Sequence, residues 1–151
     1  QGFRERALET LRRNIQSEYA ASKKSWRPLQ SPDNSPLVEI FIWEGNAEAA
    51  WLEANVGGTC RRDLWLELAA MREKDHPTDS IKVYKSMIDP IVEQKNNNAY
   101  KEAAELLGKI QALMERLGEQ MAFHSYLTNV RAVHKPKRNF MQLLEGFSRR
   151  Q

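Results

Sequence analysis

The chain has 151 residues, with 23 basic and 20 acidic groups, three His and one Cys. Apolar residues make up 41% and charged residues 28%, with only seven Gly and six Pro, which excludes a disordered or collagen-like chain. No window approaches the run of about eighteen apolar residues that a membrane-spanning helix needs. A chain of this size buries roughly two thirds of its unfolded surface and needs neither metal nor disulfide to stand. The expectation is one soluble domain spanning 1–151. A lone thiol forms no internal disulfide, so a reducing cytoplasm is the simpler compartment. Gln1-Gly2 precedes a helical pattern that is already running, without an initiator Met or an apolar leader, which reads as a domain of a longer chain.

Net charge is +3 and unevenly spread. Residues 1–30 hold seven basic and three acidic groups, residues 31–60 five acidic and no basic, and residues 131–151 six basic and one acidic. Two basic ends and one acidic segment are either complementary within the fold or leave a basic surface facing outward.

In chain order, Phe3, Ala7, Leu11, Ile15 and Tyr19 recur every fourth residue and predict a first helix of about five turns. Residues 25–36, SWRPLQSPDNSP, break the pattern and predict a loop, hinge or disordered tip. Ser35 as N-cap and Pro36 at the first position open a short apolar helix, Leu37 to Trp43. A second short helix runs from Ala47 to about Asn55 and stops at Gly57-Gly58, giving an αα-hairpin. Thr59 is expected to cap a helix carrying Leu64, Trp65, Leu68 and Met71. Pro77 starts the next, with Ile81, Tyr84, Ile88, Ile91 and Val92, and Pro90 predicts a kink or break near Ile88 and Asp89. After Asn96-Asn97-Asn98, whose Asn suits a cap, comes the strongest pattern: Tyr100, Ala103, Leu107, Ile110 and Met114, closed by Gly118. Phe123, Leu127 and Val130 define another helix ended by Pro136, and Phe140, Leu144 and Phe147 a terminal one.

No stretch alternates long enough to predict a strand. The fold class is therefore all-α, with about seven helices in antiparallel pairs stacked as a tetratricopeptide-like α-solenoid, an α-α superhelix. The pairs over 60–95 and 98–134 have similar lengths, and Ala69, Ala70, Ala103 and Ala104 sit where close helix approach needs small residues.

Particular residues carry a family likeness. The run Asn97-Asn98-Ala99-Tyr100 with Glu102-Ala103-Ala104, then Leu117-Gly118, and above all His134-Lys135-Pro136-Lys137-Arg138-Asn139-Phe140-Met141, resembles the C-terminal tail of bacterial SWIM-type zinc-finger proteins. Leu64 to Ala69, His76-Pro77 and Val83-Tyr84 fit the same region, so the likeness covers roughly 37–145. It implies a helical-repeat region that follows a zinc-binding module. That module uses several Cys and a His, whereas this chain has only Cys60 and three dispersed His, so the zinc site itself is absent and no metal or cofactor is expected.

Cys60 stands before Arg61 and Arg62, an environment that favours thiolate, although no sequence motif pairs it with a base and the alternative is a small residue in a helix's first turn. His76, His124 and His134 read as structural. Asp63/Glu67 and Asp75/Asp79 are acidic pairs four apart, the spacing of solvated helix faces. With no phosphate loop, nucleophile elbow or zinc-hydrolase motif, an enzyme is not expected. The leading functional candidates are Arg131, Lys135, Lys137 and Arg138, with Arg149 and Arg150. They either contact phosphates or merely favour a helix C-terminus and solubility. Trp43, Trp51 and Trp65 read as core anchors, and Trp26 as a loop residue open to a partner. Two function classes follow: a non-catalytic helical-repeat scaffold that contacts a protein partner or the rest of its own chain, and a nucleic-acid-binding accessory domain using the basic C-terminus.

Overall fold

A computed structural model describes residues 2–27, 29 and 31–148. Arg149 and Arg150 lie outside the described residues. Among those described there are eight helices: α1 (Gly2–Ser22), α2 (Ser35–Trp43), α3 (Ala47–Ala54), α4 (Arg62–Arg72), α5 (Pro77–Val92), α6 (Asn97–Arg116), α7 (Gln120–Val133) and α8 (Arg138–Ser148). The count exceeds the expected seven. The described residues form no strand beyond one isolated bridge between Asp33 and Thr59, and the protein is all-α. The chain divides into two compact units, residues 1–72 and 73–151.

In the first unit Leu8 and Ile15 of α1 join Leu37, Val38 and Phe41 of α2, Ala50 and Ala54 of α3, and Leu64 and Leu68 of α4 in one core. Gly45, at φ +75, turns α2 into α3, whose first turn is capped by Asn46 Oδ1 accepting from the Ala49 N–H at 3.1 Å. The loop before α2 is no free tip where it is described near its end. Asn34 donates its N–H to the Thr59 carbonyl at 2.8 Å, and Thr59 returns its own to Pro32 at 2.7 Å. Gly58 makes this possible: a Cβ there would stand 2.7 Å from the Pro32 carbonyl oxygen and collide with the Asn34 amide.

That stitching overturns two caps expected from the sequence. Asn34, not Ser35, is the N-cap of α2, and the Ser35 hydroxyl accepts from the Arg61 N–H at 2.9 Å instead. Thr59 bridges to Pro32, and α4 begins only at Arg62. Trp51 and Trp65 do anchor the unit, meeting edge to face at 5.7 Å, while the buried Arg72 guanidinium lies 4.5 Å from the Trp51 ring centre. Trp43 does not: at 87% exposure it stands in solvent. It falls at the last residue of α2, where the helix's buried face of Leu37, Val38 and Phe41 has already turned away.

In the second unit α6 is the centre, packed against α5, α7 and α8. Ala99, Ala103, Leu107, Ile110 and Met114 give it a continuous buried stripe, and the helices packed against it bury Tyr84 and Ile88 in α5, Phe123 and Leu127 in α7, and Phe140 and Leu144 in α8. Asn96 caps α6 as expected, its Oδ1 accepting from the Ala99 N–H at 2.8 Å. The break expected at Ile88 and Asp89 does not occur, and α5 runs on to Val92. Pro90 lies in the last turn, where its ring removes a single bond to the exposed Ser86 carbonyl and the helix ends before another is lost.

Candidate functional site

The basic C-terminal residues gather at the corner where α7 ends and α8 begins, and the corner is built on a buried histidine. His134, 1% exposed, sits one residue past α7 with its ring edge-on to Phe140 at 5.8 Å. Its Nε2 lies 2.7 Å from Asp89 Oδ1 on α5 and its Nδ1 3.1 Å from Lys137 Nζ. An ammonium group only donates, so Nδ1 accepts and Nε2–H is directed to Asp89. Lys137 also donates to Glu93 Oε1 at 3.0 Å, which holds the Glu93 carboxyl below the usual range, with Lys95 adding to the effect. Phe140 in turn stacks on Tyr100 of α6 at 5.7 Å, fixing the start of α8 against the start of α6. Asn139 Nδ2 donates to Asn97 Oδ1 at 3.0 Å along the same seam.

This scaffold divides the four sequence candidates. Arg131 turns inward and donates to the Leu144 carbonyl at 2.8 Å, tying α7 to α8. Lys135 is exposed. Lys137 and Arg138 line an open cleft of about 750 Å³, together with Lys95, Tyr100, Pro136 and Asn139. Beside it, Lys101, Asn97, Asn139, Gln142 and Leu143 line a smaller groove of about 310 Å³. No carboxylate lines either one.

Sequence reasoning missed Lys95, Tyr100 and Asn139. Lys95 lies forty-two residues before Lys137 and comes alongside only because the α5–α6 turn, with Lys95 itself at φ +57, abuts the α7–α8 corner. The one local signal was a cation in the wrong place: Lys137 precedes α8 and Arg138 begins it, at the end of a helix that favours negative charge, and lysine has no acceptor with which to cap it.

The other candidates fare differently. Cys60 is half-buried, and burial outweighs Arg61 to push its thiol up to about 11, contrary to the thiolate expected from the neighbouring arginines. Asp63 is held below the usual carboxylate range by its hydrogen bond to Arg61, as a solvated charge pair. Among the described residues no three His, Cys, Asp or Glu side chains converge where they would hold a metal ion, and no helix is long and apolar enough to cross a membrane.

A second exposed feature lies in the first unit. Arg4 forms a two-pronged pair with Glu44, at 2.9 and 2.6 Å, that joins the start of α1 to the end of α2. The residues preceding these two partners, Phe3 and Trp43, are 89% and 87% exposed. Comparison with known proteins finds no family model, curated protein or solved structure that matches this chain.

Proposed function

We propose that this chain is a non-catalytic helical-repeat scaffold that makes protein–protein contacts. The observation that carries the reading is the exposure of two large rings, Phe3 and Trp43, each next in sequence to a member of the Arg4–Glu44 pair that joins α1 to α2. Exposed aromatic side chains are enriched at protein interfaces, and leaving them in water has no folding advantage. The short turns between α2 and α3 and between α5 and α6 support hairpins of the kind that stack into a tetratricopeptide-like α-solenoid. The segment from His134 to Met141 supports a place in the C-terminal helical region of SWIM-type zinc-finger proteins, in which case the contact partner includes the zinc-bearing part of the same chain.

The test is affinity capture with the wild-type chain and with the Phe3→Ala/Trp43→Ala variant, both checked for equal helicity by circular dichroism. A defined protein retained by the wild type and lost by the variant supports the reading. Indistinguishable capture by the two proteins removes it.

A further inference from the structure

The +3 net charge of the chain has an address. Residues 1–72 carry ten basic and ten acidic groups, whereas residues 73–151 carry thirteen against ten, so the whole excess belongs to the second unit. Four of its thirteen cations line one cavity and the groove beside it. Lys95, Lys137 and Arg138 line the 750 Å³ cleft, and Lys101 extends the same chemistry into the adjoining groove. The two nearby carboxylates are already engaged, Asp89 by His134 and Glu93 by Lys137. Cations gathered in a concave space without a lining carboxylate repel one another. Here that repulsion is aggravated by the positive end of α8, and both terms reverse sign once an anion enters.

We propose that this cleft binds an anionic segment of a partner protein, seating its carboxylate or phosphate oxygens between Lys95 and Arg138. The inference rests on the protein-contact reading, and adds the chemistry of the partner. A peptide fits the lining better than a nucleic acid does. The amides of Asn97, Asn139 and Gln142 continue the cleft with groups that hydrogen-bond a peptide backbone. The ring that a base would need is withheld: Tyr100 is buried and stacked on Phe140. A duplex contact of about 6–10 phosphates would need more cations than the four that line the cleft and its groove.

The experiment is fluorescence anisotropy on the whole chain with four labelled probes at low and moderate salt: a Glu-rich peptide, a phosphoserine peptide, its unphosphorylated counterpart and a DNA duplex. Either acidic probe should bind saturably, and the unphosphorylated peptide should not. Whichever acidic probe binds more tightly tells carboxylate from phosphate as the natural source of charge. Arg138→Gln and Lys95→Gln should each weaken that binding about tenfold, the loss expected for one hydrogen bond to a charged group. Lys135→Gln, exposed but outside the cleft, should change it little. Three outcomes overturn the proposal: neither acidic peptide binds at low salt; Lys135→Gln weakens binding as much as Arg138→Gln does, which marks a diffuse basic surface; or the duplex binds and the peptides do not. Because Phe3 and Trp43 take no part, failure here leaves the capture experiment on the first unit to be judged by its own result.

Discussion

The two basic stretches at the ends of this chain meet opposite fates. In the first unit ten basic and ten acidic groups balance, and cations from both ends of it pair with the acidic run at 31–60: Arg4 with Glu44, Arg12 with Glu53, Arg72 with Glu48 and Arg61 with Glu39. In the second unit Lys137 pairs with Glu93, while Lys137 and Arg138 line a cleft that no carboxylate lines. The same residue types at similar density thus close one unit electrostatically and leave the other open. What decides between them is whether a run of opposite charge lies within reach of the packed helix, not the number of cations.

The sharpest way to break the open side is to remove what shapes it. Phe140 is fully buried between Tyr100 and His134, and Phe140→Ala should cost about 3–5 kcal/mol, the range for emptying a core phenylalanine site. Chemical denaturation gives the loss. Hydrogen exchange should show α8 amides losing protection first, and with them the geometry of the cleft. An effect below 1 kcal/mol would mean that α8 is not seated as described.

On the closed side, the corresponding weak point is Gly58, where the loop before α2 crosses the strand-like segment before α4. Gly58→Ala forces a methyl group against the Pro32 carbonyl and should cost about 1–3 kcal/mol, as overpacking does. Its effect should be seen as lost protection of the Asn34 and Thr59 amides, the two that stitch the crossing.

The charge comparison itself is tested by salt. Arg4→Ala and Arg12→Ala remove pairs from the balanced unit, so each should lower the melting temperature slightly, with the difference fading as salt rises. Arg138→Gln removes a cation from a crowded corner and should leave stability unchanged or raise it at low salt. Equal destabilisation by all three would erase the distinction between the units.

Much of the architecture was legible in the sequence because helix periodicity is local. The stripes through α6 and α7 and the Asn96 cap follow from residues within a few positions of one another, whereas the α1 stripe holds only in part: Ile15 is buried with Leu8, while Phe3 and Ala7 stand exposed. What was not legible depended on residues far apart in the chain. Ser35 is a good N-cap by type, but Arg61, twenty-six residues on, takes its hydroxyl. Cys60 is flanked by arginines, yet burial in the first unit controls its thiol. Lys137 and Arg138 were picked out by sequence, but their partner in the cleft, Lys95, is brought there by the packing of α5, α6 and α8. Even so, a lysine where a helix N-cap should be is a local signal that sequence reasoning can use: it marks a helix start whose charge is balanced by residues far away in the chain, here Glu93.

The smallest expected effect is with pH, and it again separates the two units. Glu44 and Glu93 are both held below the usual carboxylate range, chiefly by a hydrogen bond from Arg4 and from Lys137 respectively. A carboxyl whose pKa is lower folded than unfolded stabilises the protein fully above its ordinary pKa, about 4.3 for glutamate, and that contribution disappears as pH falls through the folded value. Glu44→Gln and Glu93→Gln should therefore melt slightly below the wild type at neutral pH, and the gap should close as the pH is lowered through the carboxylate range. The two differ in what else they change. Glu44 neutralises Arg4 in the first unit, and neither lines the basic cleft, so its loss should alter stability alone. Glu93 is the carboxylate that restrains Lys137 and Lys95 beside the cleft, so Glu93→Gln should also tighten binding of an acidic peptide severalfold at neutral pH. If both variants leave peptide binding untouched, the cleft is not where the excess charge acts.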